Sequence, residues 1–97
     1  MRAKAIFLIR EYIVNDLRDP GIDWNSMVFK QRSHAKWAAK EVLKYVIKHK
    51  ELTPIEAVSN FAKLMDYYSC KNPHTSYVFS VANDIAVDIL DMLICRL

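Results

Sequence analysis

Residues 53–70 read Thr53-Pro54-Ile55-Glu56-Ala57-Val58-Ser59-Asn60-Phe61-Ala62-Lys63-Leu64-Met65-Asp66-Tyr67-Tyr68-Ser69-Cys70. A threonine, a proline at the next position and a glutamate three residues on spell a helix start. The Thr53 hydroxyl takes an orphan amide of the first turn, Pro54 needs no amide partner there, and the Glu56 carboxylate reaches back to the amide of the cap. Behind that start, Ala57, Val58, Phe61, Leu64, Met65 and Tyr68 recur at helical spacing and predict an inward stripe. Glu56, Ser59, Asn60, Lys63 and Tyr67 predict the outer face. This is a helix over 54–70.

Outward from it, Asn72-Pro73 repeats the cap-then-proline pattern and opens a helix over 73–95. On the N-terminal side, Ala35, Ala38, Ala39, Val42, Leu43, Tyr45 and Val46 make the apolar face of a helix over 33–49. Ser26 as cap, with Met27 and Val28 in phase, allows that helix to begin near 26. The first segment, about 2–17, is apolar round most of its circumference. Asp19-Pro20-Gly21 marks a turn, and the connection 19–29 carries enough apolar residues to pack over the rest. One glycine and three prolines in 97 residues leave few turns, which favours long helices over many short strands. The expected architecture is therefore all-α: a small antiparallel four-helix arrangement with the fourth helix central, formed by residues 1–97 as a single domain. A chain of this length buries roughly 60–65% of its unfolded surface, enough for one core.

Composition narrows the class. Hydrophobic residues make up 53% of the chain, slightly above the globular norm of about 45–50%, so disorder is not expected. The apolar run after Arg2 and Lys4 stops at Arg10 and Glu11, too short for a signal segment. Asp84, Asp88 and Asp91 interrupt the apolar C-terminal segment, so no membrane span is expected. Cys70 and Cys95 fall short of a disulfide framework. They read as reduced thiols acting as small buried hydrophobes in a cytoplasmic protein.

The first and fourth helices lack the broad polar face of a monomeric bundle. A domain this small cannot bury two helices on all sides, so either the 19–29 connection covers the surplus or a partner does, and a second copy, most simply a homodimer, is the expected one. Ile9, Ile13, Val87 and Ile94 are the candidate contact residues.

Charge is unevenly spread. Residues 30–50 carry seven basic side chains and one acidic, whereas residues 51–97 carry three basic and six acidic. Lys36, Lys40, Lys44 and Lys48, spaced by four, wind slowly round one side of a helix, with Trp37 among them. Lysines to meet phosphates and a tryptophan to stack on a base suit nucleic acid. A solvated face explains the ladder as well, because like-charge pairs at this spacing cost only about 0.2–0.5 kcal/mol each. The aspartates of the fourth helix offer it a partner, within the chain or across a dimer. A helix-turn-helix is a poor match, since the helix from Pro54 runs on without glycine and its outer face is not basic.

Asp84, Asp88 and Asp91 share one helix face and are weak candidates for a divalent cation in phosphate chemistry. Such sites normally draw carboxylates from two helices, and a solvated strip is the simpler account. His34, His49 and His74 show no zinc spacing, and one glycine forbids a phosphate loop. No cofactor is expected. The leading functional expectation is a small self-associating interaction module, an adaptor or regulator without evident catalytic activity. The alternatives are a nucleic-acid-binding accessory protein using the basic face of residues 30–50, and a metal-dependent phosphohydrolase at the aspartate strip.

Overall fold

The computed structural model describes residues 2–15, 29–71, 73, 74 and 76–97. Four helices account for nearly all of them: α1 Arg2–Val14, α2 Phe29–Lys48, α3 Pro54–Lys71 and α4 Ser76–Arg96. No strand occurs among the described residues. The expected turn at Asp19-Pro20-Gly21, the packing of the 19–29 connection, the Ser26 cap and the Asn72 cap lie outside the described residues.

Helix α3 starts where its sequence says it should. The Thr53 amide donates to Glu56 Oε1 and the Glu56 amide donates to Thr53 Oγ1, both at 3.2 Å. Both arms of the capping box are closed. Helix α4 starts three residues later than its proline predicts. Pro73 and His74 form a turn, and the Pro73 carbonyl accepts the Ser76 hydroxyl at 3.2 Å. A hydroxyl so placed competes with the helical ladder for that carbonyl.

The tight connections at 49–53 and 72–75 make α2, α3 and α4 successively antiparallel. Arg2, at the start of α1, reaches the end of α2, so these two are antiparallel as well. Helices α2 and α4 therefore run parallel, and they pack on each other. The most extensive contact joins α3 to α4, and α1 rests on α2 and touches α4. The expected central role of the fourth helix is thus shared: α2 and α4 each contact all three other helices. They form the short diagonal of a flattened bundle measuring 35 × 32 × 18 Å.

The core of this diagonal is built from small side chains. Among the described residues eight of the eighteen buried hydrophobic ones are alanine, including Ala35, Ala38 and Ala39 of α2 and Ala82 and Ala86 of α4. Small groups at a contact let helix axes come close together. Ile9, Val42, Val46, Val58, Ile89 and Leu93 supply the larger fully buried groups. Asn83 Nδ2 donates to the Ala62 carbonyl at 2.8 Å and pins α4 to α3.

Two expectations about the interior are corrected. Periodicity puts Leu64 and Tyr68 on the inward stripe of α3, yet both are exposed, and Ala62 is buried instead. Helix α3 lies at the edge of the diagonal and buries the sector centred on Val58 and Met65. Tyr68 slides over Phe79 of α4, ring centroids 5.4 Å apart, and Leu64 is left at the rim. Cys70 and Cys95 are exposed rather than buried. Cys70 sits in the last turn of α3 on the side away from Met65, and Cys95 lies on the solvent side of α4. No helix among the described residues is long and apolar enough to cross a membrane.

Candidate functional site

The buried row Ala35, Ala38, Ala39, Val42 and Val46 sets the orientation of α2. Residues on the opposite side must face water, and Lys36, Lys40, Lys44 and Lys48 are all exposed. Trp37 stands among them, 41% exposed, and Ile47 beside them is 40% exposed. Lys44 donates to Glu41 Oε1 at 3.3 Å, an exposed i,i+3 pair of the kind that contributes little. Among the described residues Lys36, Lys40 and Lys48 enter no ion pair. The ladder is therefore a continuous basic face with an indole embedded in it.

Helix α4 is oriented in the same way by Ala82, Ala86, Ile89 and Leu93. Its opposite side carries Asp84, Asp88 and Asp91, all exposed. Asp88 has a structural duty: its Oδ2 accepts the Tyr12 hydroxyl at 2.7 Å and links α4 to α1. Asp84 and Asp91 enter no ion pair among the described residues. Ladder and strip do not meet within one copy, because each lies opposite the buried face of its helix and the two buried faces share one core. Among the described residues no group of three or more His, Cys, Asp or Glu side chains is placed to hold a metal ion. The three aspartates share a helix face but gain no carboxylate from a second element.

The four candidate contact residues separate. Val87 is 41% and Ile94 59% exposed, seven residues apart on the outer side of α4. Ile13 is half-buried. Ile9 is fully buried and drops out as a surface residue. It belongs to the row Ala5, Leu8, Ile9 and Tyr12, whose i, i+3, i+4, i+7 spacing builds the inner face of α1. The large apolar residues of α1 that do face outward are Phe7 and Val14, at 58% and 55%. The sequence alone selects no outer side here, because α1 is apolar nearly all round.

Sequence reasoning also missed Arg2. Its guanidinium donates to the carbonyls of Val46 at 2.8 Å, Lys50 at 2.9 Å and Leu52 at 2.5 Å. A fixed cation fork thus closes the C-terminal end of α2, where carbonyls lack helical partners and the helix dipole is negative. Nothing local in the sequence points to this, since the residues it joins are more than forty positions apart. Next to it His49 Nδ1 lies 2.9 Å from Glu51 Oε1, and the His49 ring rests on Tyr45 at 4.1 Å. The hydrogen bond from His49 holds the Glu51 carboxyl below its ordinary value, helped by a backbone bond and by Arg2. Among the described residues the one buried side-chain nitrogen or oxygen without a hydrogen-bond partner is His34 Nδ1, and the His34 ring meets the edge of Tyr77 at 5.6 Å.

Tyr45, Asn60, Lys63 and Leu64 border an open depression of about 320 Å³ between α2 and α3. Its lining contains no carboxylate or imidazole. Elsewhere the described residues present a basic aromatic face on α2 and an acidic apolar face on α4. Comparison with protein-family models, with curated proteins and with solved structures finds no match to this chain.

Proposed function

We propose that this protein is a small helical interaction module that works by self-association, as an adaptor or regulator. The supporting observation is the outer side of α4, where Val87 and Ile94 stand 41% and 59% exposed at a spacing of seven residues. Large apolar groups repeated at that interval on one helix face are the usual material of a helix–helix seam. A two-fold or head-to-tail partner of the same chain is the commonest way to cover such a seam. Exposed thiols at Cys70 and Cys95 fit a reducing compartment, the cytoplasm. Size-exclusion chromatography with light scattering tests the proposal. A mass above 11.3 kDa at micromolar concentration is expected, and a clean 11.3 kDa species throughout that range overturns it.

A second reading has its own observation. Trp37 is exposed among Lys36, Lys40, Lys44 and Lys48, the combination that tracks a phosphate backbone while stacking on a base. Quenching of Trp37 fluorescence by an oligonucleotide, weakening steeply with salt, is the expected result. Unchanged fluorescence at low salt removes this reading.

A further inference from the structure

We propose that the outer faces of α2 and α4 are the two halves of one interface, so that the lysine ladder of one copy docks on the aspartate strip of the next. This rests on the self-association proposed above and specifies its geometry. The faces are complementary in charge: Lys36, Lys40, Lys44 and Lys48 on one, Asp84, Asp88 and Asp91 on the other, all exposed. Each face also carries two large exposed apolar groups, Trp37 and Ile47 on α2 and Val87 and Ile94 on α4. Apolar groups ringed by charges of opposite sign are what a specific protein interface needs from its two sides.

Pitch agrees as well. At about 1.5 Å of rise per residue, the lysines recur every ~6 Å, and the aspartates are separated by ~6 and ~4.5 Å. Three carboxylates can thus face three successive ammonium groups along a pair of packed helices.

The symmetric alternatives are disfavoured by the same charges. An α4-on-α4 contact sets three carboxylates against three more, and an α2-on-α2 contact sets four ammonium groups against four. Like charges so juxtaposed suppress an interface. Intramolecular pairing does not consume the groups, since among the described residues Lys36, Lys40, Lys48, Asp84 and Asp91 enter no ion pair. Nor can one copy satisfy itself, because the two faces point away from a shared core. Such a contact is heterologous: an open assembly keeps a free ladder at one end and a free strip at the other. It grows into a ring or an open chain rather than stopping at a two-fold dimer.

Charge reversal on the full-length chain tests this. Lys36→Glu with Lys40→Glu disables the α2 face, and Asp84→Lys with Asp91→Lys disables the α4 face; Asp88 is spared because it holds Tyr12. Light scattering should show wild-type assemblies that shrink as salt rises and each reversed chain alone at 11.3 kDa. An equimolar mixture of the two should return a species of at least twice that mass. A misfolded variant would not reassemble on mixing, and the neutral pair Lys36→Gln with Lys40→Gln, checked for helical circular dichroism, repeats the loss without new carboxylates.

A monomeric wild type overturns both this interface and the self-association beneath it. A wild type that assembles while the Lys36→Glu, Lys40→Glu chain assembles equally well leaves self-association standing and overturns the complementary docking. If that chain stays assembled but loses quenching of Trp37 by a single-stranded oligonucleotide, the α2 face belongs to nucleic acid and the proposal is again overturned.

Discussion

The corner between α2 and α3 and the outer side of α4 are built from similar residue types and come to opposite ends. At the corner, charged and polar groups close on one another. Arg2 takes three backbone carbonyls, Thr53 and Glu56 exchange two hydrogen bonds, and His49 holds Glu51. On α4, Asp84 and Asp91 stand in water beside exposed Val87 and Ile94, and only Asp88 is engaged, by Tyr12. A polar group whose partners lie within the chain explains itself by stability. One left open beside exposed apolar surface, as on α4 and α2, is available to another molecule.

Substitutions on the two sides of α4 sharpen that contrast most. Leu93→Ala removes a fully buried side chain and should lower stability by about 2–5 kcal/mol in urea unfolding of the monomer at high salt. Ile94→Ala, one residue along and 59% exposed, should stay within about 0.5 kcal/mol of wild type in the same measurement while weakening self-association in light scattering. Equal losses of stability would break the distinction between inner and outer face.

At the corner, Arg2→Ala leaves the carbonyls of Val46, Lys50 and Leu52 without the guanidinium. Partial exposure lets water replace it in part, so the expected loss is about 1–3 kcal/mol. Arg2→Lys should recover only a fraction, because an ammonium group lacks the planar fork. Recovery to wild-type stability would reduce Arg2 to a point charge near a helix end. Thr53→Ala opens one arm of the capping box and should cost about 1 kcal/mol by thermal or urea unfolding, with the association behaviour of α4 untouched.

The smallest expected effect is the pH dependence from Glu51. Its carboxyl is held below the ordinary 4.5, so the folded chain takes up this proton less readily than the unfolded chain. The stabilisation is fully present above that value and is lost as pH falls through the lowered folded pKa. Glu51→Gln should flatten the acid side of the stability curve slightly. An unchanged curve would mean that the exposed His49–Glu51 pair adds nothing in solution.

Legibility varied with how local the cause was. The start of α3 was readable because the capping box spans only four residues. Ile9 was misassigned to the surface, because a helix apolar nearly all round satisfies any choice of inner face and only its neighbours select one. Leu64 and Tyr68 were misplaced for a related reason: a periodic stripe tells which residues can share a face, while the packing angle against α4 and α2 decides where that face ends. The exposure of Cys70 and Cys95 followed from the same geometry, against the residue's usual habit of burial. Arg2 was invisible, since its partners are brought to it only when the first helix folds back along the second.

By itself, then, the sequence determined four helices, their antiparallel succession and the two charged strips, since caps, prolines and helical periodicity act within a few residues. Tertiary structure alone decided that α2 joins α4 as the centre, that Arg2 closes the end of α2, that Ile9 turns inward and Phe7 outward, and that ladder and strip point away from each other. Those outcomes depend on which apolar faces meet, and that choice is made by the packing of all four helices at once.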